Sequence, residues 1–151
     1  MRNLLFVLLA VLLMSCASTQ QGTITRGTVV EYPEVKSNEN EAIEVMKIEL
    51  TDDATILHVE VYNAPRNWIA ISSKTVLRDR DGRTYKLLSS KGFELDRRIP
   101  MPRSGKKAFA LYFEPVNKDV KEVKYIEGDG YNDFRIFGIK LYEECYKANT
   151  K

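Results

Sequence analysis

Residues 45–62 read Val45-Met46-Lys47-Ile48-Glu49-Leu50-Thr51-Asp52-Asp53-Ala54-Thr55-Ile56-Leu57-His58-Val59-Glu60-Val61-Tyr62. Met46, Ile48 and Leu50 alternate with Val45, Lys47 and Glu49; beyond the polar stretch 51–54, Leu57, Val59 and Val61 alternate with Ile56, His58, Glu60 and Tyr62. Successive side chains of a strand leave on opposite faces, so a period of two sends one set to a core and the other to solvent. Two such runs around a short polar connection predict an antiparallel hairpin with one buried face.

The same signal recurs on either side. Thr28-Val29-Val30-Glu31-Tyr32 is a β-branched run halted by Pro33, and Asn38 to Glu41 is a polar loop. Asn63 to Asn67, with Pro65, is another. Val76–Asp79 and Arg83–Leu88 flank Arg80-Asp81-Gly82, where Gly accepts the positive φ of a tight hairpin. Around Pro100 and Pro102 the chain must stay extended or turn. Lys107 to Glu114 is the clearest run, with Phe109, Leu111 and Phe113 on one face and Ala108, Ala110 and Tyr112 on the other. Val123–Glu127 and Phe134–Glu143 follow, separated by Gly128-Asp129-Gly130-Tyr131-Asn132-Asp133. Pro115 to Lys121 has room for one short helical turn, but no long stretch keeps helical spacing and no internal repeat occurs. The prediction is all-β: an immunoglobulin-like antiparallel β-sandwich of about seven to nine strands.

The 151 residues include 23 Lys+Arg, 21 Asp+Glu, one His and two Cys. Near-neutral charge leaves no electrostatic footprint for nucleic acid. A single imidazole excludes multi-His zinc sites, and two Cys exclude both a Cys-only zinc site and a disulfide-rich scaffold.

The N-terminus has a different character. Met1-Arg2-Asn3 is followed by the unbroken apolar run Leu4 to Met14 and then Ser15-Cys16. Eleven residues span about 16 Å as a helix, half of a ~30 Å hydrocarbon core, which is the length of a signal-peptide core rather than a membrane span. Leu13-Met14-Ser15-Cys16 resembles the lipobox of bacterial lipoproteins. That resemblance implies cleavage before Cys16, a diacylglyceryl thioether on its sulfur and acylation of the new amine. The expected division is 1–15 signal peptide, 16–22 flexible tether and 23–151 β-sandwich. Two or three acyl chains hold a protein firmly to a bilayer, and a thioether at Cys16 leaves Cys145 without a partner in the chain.

From about Ile43 to Tyr142 the chain resembles the small β-sandwich domain of bacterial envelope lipoproteins, a domain that also precedes thioredoxin-like domains in some envelope thiol–disulfide exchange proteins. The likeness rests on scattered segments: Glu49-Leu50-Thr51-Asp52, Trp68-Ile69 with Ile71-Ser72-Ser73-Lys74-Thr75, Glu94-Leu95-Asp96, Phe113-Glu114-Pro115, Ile126-Glu127-Gly128-Asp129 and Phe134-Arg135-Ile136. The hairpin Leu77 to Tyr85 is similar to telokin-like immunoglobulin domains of bacterial surface proteins. The resemblance implies a fold and carries over no catalytic residue. No Cys-x-x-Cys pair is present, so the redox half of the two-domain proteins is expected to be missing.

Each chemically suggestive residue has a bland alternative. His58 would need a nucleophile and an orienting acid beside it to act as a base; Ser72 and Ser73 lie in no such context, and a cross-strand contact with a carboxylate is expected instead. Cys145 sits beside Glu143 and Glu144, which oppose thiolate formation, with Lys147 partly offsetting them. Glu127 to Asp133 gathers oxygen donors, but Tyr131 interrupts the order of a calcium-binding loop. Trp68, with Arg66 and Asn67, could stack on a sugar or anchor a partner, although the expectation is that it plugs the core as in many immunoglobulin domains. The charged runs 78–81 and 96–98 are expected to be solvated turns. Cys16 is thus the lipidation site, and Trp68, Arg66 and His58 are the candidate ligand-binding residues. No catalytic residue, metal or cofactor is predicted.

These features together point to a lipid-anchored, non-enzymatic binding or assembly module of the bacterial envelope, with an outer-membrane destination. Its partners would be the membrane, through its lipidated N-terminus, and an envelope protein or glycan. The alternatives are an accessory role in thiol–disulfide exchange beside a separately encoded thioredoxin-like protein, and glycan capture through Trp68.

Overall fold

Alternating patterning becomes strand throughout residues 28–128 and 133–142, which are the residues the computed structural model describes. The strands are β1 (Thr28–Glu31), β2 (Ser37–Asn38), β3 (Ile43–Leu50), β4 (Thr55–Tyr62), β5 (Trp68–Ile69), β6 (Val76–Arg78), β7 (Thr84–Lys91), β8 (Ile99–Pro100), β9 (Lys106–Phe113), β10 (Glu122–Ile126) and β11 (Arg135–Lys140). Eleven exceed the expected seven to nine because β2, β5 and β8 are two-residue pairings that periodicity cannot register. Pro115 to Lys121 forms no helix. Its backbone makes one turn, closed by the Val120 N–H on the Asn117 carbonyl at 3.1 Å.

Nine strands form one antiparallel ribbon in the order β1-β3-β4-β9-β7-β6-β10-β11-β2, and β5 pairs with β8 alone. The ribbon curls into two facing layers at β7. Thr84 to Lys86 pair with β6, whereas Leu87 to Lys91 pair with β9, with a register shift between Leu87 and Ser89. The ribbon's two edges are also joined by the chain itself. Tyr32 donates its N–H to Met46 of β3 at 2.8 Å, and four residues later Lys36 donates to Phe137 of β11 at 2.9 Å. That change of layer passes through Tyr32 at φ 46 and the buried Pro33. The architecture is all-β and sandwich-like.

The core lies between the layers. Ile43, Ile48, Leu57, Val59, Val61, Leu111 and Phe113 face Leu77, Val123, Tyr125, Ile136 and Ile139, each at most 1% exposed. Strands β4 and β9 bury the faces that alternation predicts. Strand β3 departs from it: a bulge between Val45 and Lys47 resets the pleat, so Ile43 and Val45 are buried along with Ile48 and Leu50, while Met46 is only partly covered. One extra residue in a strand exchanges its faces. Trp68 is a second departure. It does not plug the core but is 49% exposed, because its neighbour Ile69 takes the inward position on β5. The interior aromatic is Tyr125, packed edge-on against Phe113 with ring centroids 6.3 Å apart.

The Tyr125 hydroxyl is enclosed and has no hydrogen-bond partner among the described residues. The neighbouring Thr75 hydroxyl gives its proton to the Ser72 carbonyl at 2.6 Å. A buried hydroxyl without a partner costs about 1–3 kcal/mol. Tyr125→Phe, which removes only that oxygen, is therefore expected to leave stability unchanged or raise it by about 1 kcal/mol; equilibrium urea denaturation measures the difference.

Candidate functional site

The connections β2–β3, β4–β5, β8–β9 and β10–β11 all emerge at one end of the sandwich. The register fixes this: Ile43 pairs with Val61, Tyr62 with Lys106, Ile126 with Arg135 and Asn38 with Ile136. Between these loops lies a groove of about 420 Å³ walled by Tyr62, Trp68, Phe134, Asn40, Asn63 and Asn67. It is a small-ligand-sized concavity with aromatic walls and a few convergent amides.

The β4–β5 loop shapes this groove. Asn67 donates its N–H to the Ala64 carbonyl at 3.0 Å, closing a turn with Pro65 and Arg66 at its centre. Pro favours the second position of such a turn, but the third position, here Arg66 at φ 72, is the place for Gly or Asn. Holding an Arg there costs about 1–2 kcal/mol of backbone strain. The Asn63 side chain braces the loop: its amide donates to the Trp68 carbonyl at 2.9 Å, and its oxygen accepts from Ala64 N–H at 2.8 Å and from the Asn67 amide at 3.2 Å. Across from it, Asn63 N–H donates to Gly105 at 3.1 Å and Met101 N–H to Asn67 at 2.8 Å. A Cβ at Gly105 would stand 2.9 Å from the Asn63 carbonyl, so the β8–β9 turn can approach only as glycine. These bonds set the Arg66 turn beside the turn that carries Arg103.

Trp68 stands on this frame with the Arg98 guanidinium 4.3 Å from its ring centroid. A stacked guanidinium keeps its N–H donors available at the edges. On the far rim the Tyr62 hydroxyl donates to Glu44 at 2.9 Å, and Lys106 lies 5.1 Å from the ring. The carboxylates of Glu60 and Glu44, aided by partial burial, push the phenol's pKa up.

Phe134 is positioned by a group whose role the sequence did not reveal. Glu127, 6% exposed, accepts the Ser72 N–H at 2.8 Å on one carboxylate oxygen and the Phe134 N–H at 3.0 Å on the other. Burial raises its pKa against the opposing effect of those two donors, and Asp133 adds to the rise. With both oxygens engaged by backbone, Glu127 serves as a clamp. Residues 129–132 of the calcium-like loop lie outside the described residues. Among the described residues, no group of three or more His, Cys, Asp or Glu is placed to hold a metal ion.

The structure separates the other candidates from this groove. His58 is on the outer face of β4, its Nε2 2.6 Å from Glu49 and opposite Lys47, whose Nζ reaches the same oxygen at 2.9 Å. The Lys47 contact, more than the His58 contact, holds the Glu49 carboxyl below its usual range. Trp68 and Arg66 belong to one loop and its adjoining strand, and His58 does not line the groove they adjoin. Cys16 and Cys145 lie outside the described residues. Two charges expected to be solvated are structural instead. Asp79 is 5% exposed and accepts the Arg83 N–H at 2.9 Å and the Tyr85 hydroxyl at 3.0 Å, capping the β6–β7 hairpin from within. Asp96, though exposed, accepts the Ser73 N–H at 2.8 Å, and the Ser73 hydroxyl, followed by that N–H, lowers its pKa. At the opposite end of the sandwich, Arg80 and Glu122 pair at 2.8 Å in a cavity of about 280 Å³ bordered by Tyr142.

No family model matches this chain, and no curated protein or solved structure does so either.

Glu127 generates a pH prediction. Its folded pKa lies above the unfolded value near 4.5, so in the window between them the folded state binds more protons, and the carboxyl's contribution to stability falls as pH rises. Glu127→Gln removes that titration. The stability of the variant relative to wild type should therefore increase between about pH 4 and about pH 7; thermal melts across that range test the sign.

Proposed function

We propose that this is a lipid-anchored protein of the bacterial envelope whose β-sandwich works by binding, with the Trp68 groove as its binding surface and a glycan as its ligand. The observation that carries the reading is the half-exposed Trp68, held at the rim of a groove that also offers Tyr62 and the amides of Asn40 and Asn67. An indole face stacks on the C–H face of a sugar ring, and amides donate to and accept from its hydroxyls, so this donor set suits a saccharide better than an apolar ligand. The anchor is supported by the sequence around Cys16. No helix among the described residues is long and apolar enough to cross a membrane.

The two halves of the proposal are tested separately. Intact-mass analysis of the chain expressed in a bacterial host should find a mature form beginning at Cys16 and carrying acyl groups, while Cys16→Ser should remain uncleaved and unacylated. For the groove, co-sedimentation with purified cell-envelope polysaccharide should weaken about tenfold in Trp68→Ala, as expected for an exposed aromatic anchor. Equal sedimentation of the variant and wild type would remove the groove from consideration and leave the anchor untouched.

A further inference from the structure

Resting on the glycan reading above, we propose that the Trp68 groove selects an acidic polysaccharide, one whose sugar stacks on Trp68 while its carboxylates are held by Arg66, Arg98 and Arg103. All three arginines are exposed at the same end of the sandwich. Arg66 is two residues from Trp68, Arg98 stacks on the ring at 4.3 Å, and Arg103 occupies the turn that Asn63 and Gly105 lock against the Arg66 turn.

The distribution of charge around the groove gives the direction of approach. The nearby cations that already have acidic partners are Arg97, with Glu94 at 3.1 Å, and Lys106, with Glu60 at 3.4 Å. Asp96 is committed to the Ser73 backbone, and Glu44 to the Tyr62 hydroxyl. No salt bridge joins Arg66, Arg98 or Arg103 to a carboxylate among the described residues. Hydrogen bonds to neutral donors leave the charges of Asp96 and Glu44 in place, so Glu44 and Glu60 outnumber Lys106 on the Tyr62 side of the groove, while Arg66, Arg98 and Arg103 outnumber Asp96 on the Trp68 side. An unpaired guanidinium binds carboxylate through two parallel N–H donors. Arg66 adds a second kind of observation: the chain keeps a long cation at a φ of 72, where Gly would be unstrained. An outlier of this kind is more readily explained by a role at the site than by the turn itself.

Saccharide is favoured over acidic peptide by what lies beside the arginines. The amides of Asn40 and Asn67 line the same groove as Tyr62 and Trp68, a donor and acceptor set suited to hydroxyl-rich rings.

The test uses the full-length chain in neutral detergent with three probes: polygalacturonate, the same polymer fully methyl-esterified, and mixed micelles of that detergent with phosphatidylglycerol. Arg66→Gly and Arg103→Ala are the informative variants, since Gly suits the Arg66 backbone and Arg103 is exposed; circular dichroism confirms their fold. The expected result is binding of polygalacturonate that weakens with salt, about tenfold weaker binding in the double variant, a comparable loss in Trp68→Ala, and little binding of the ester. Equal binding of acid and ester, unaffected by the arginine substitutions but lost in Trp68→Ala, would overturn the acidic selectivity and leave the glycan reading standing. Loss in the arginine variants with none in Trp68→Ala would reduce the effect to charge adsorption and overturn the proposal. Retention by phosphatidylglycerol micelles over plain detergent micelles, lost in the arginine variants, would replace the polysaccharide with a lipid surface. Binding of none of the probes by folded protein would overturn this inference, whereas the glycan reading stands or falls with the cell-envelope polysaccharide.

Discussion

Strand β7 exchanges its partner halfway along its length, and most of the molecule follows from that exchange. A single antiparallel ribbon has two faces and can bury only one of them by curling on itself. The register shift between Leu87 and Ser89 lets the first half of β7 stay with β6 while the second half pairs with β9. The ribbon turns there, and the apolar faces of β3, β4 and β9 meet those of β6, β10 and β11. The chain crosses between the ribbon's edges once more at Tyr32 and Pro33, so the fold is held at both ends of the strand order. Curling of this kind also sets which loops come together, because every strand that ends at one rim delivers its connection to the same place.

How much of this was legible depended on whether the local signal outlived the local geometry. The alternations in β4 and β9 were readable because each strand is regular for eight residues. The N-terminal half of β3 was not, since one bulged residue near Met46 inverts the parity from which a buried face is inferred. Two-residue strands leave no period to detect, which is why β5 and β8 were invisible and why Trp68 was placed in the core by analogy with immunoglobulin domains alone. Its burial is decided by Ile69, the adjacent residue with the stronger claim to the inward position. Asp79 and Glu127 illustrate a different limit. A carboxylate in a polar stretch looks solvated until the donors it satisfies are known, and those lie 4 and 6 residues away for Asp79 but as far as 55 for Glu127.

The candidate site was half legible for the same reason. Arg66, Asn67 and Trp68 are close in sequence, and Pro65 signals a turn there. Asn40, Phe134 and Arg103 join them only through strand register, which no spacing rule reports. His58 shows the converse: it was singled out because it is unique, yet its strand points it to the outer face, where Glu49 and Lys47 absorb its chemistry.

The rim differs from the body of the sandwich in what its residues are for. In the layers, polar groups are few and, the Tyr125 hydroxyl aside, spoken for: Thr55 gives its oxygen to Val116 N–H at 3.0 Å, and Asp79 and Glu127 close backbone donors. At the rim, an indole is left half in water, a cation is held at a backbone angle that disfavours it, and guanidinium groups stand without carboxylates. Each departure costs a little, and none is required by the core, which would be as well filled with Gly at 66 or a small polar residue at 68. A loop can carry such costs only because the strands beneath it leave it little freedom to relax. The Asn63 amide, the Gly105 approach and the Glu127 clamp provide that restraint on three sides. The scaffold's stability is thereby converted into a surface whose groups are already in place before a ligand arrives, which lowers the ordering cost that weakens binding by mobile loops.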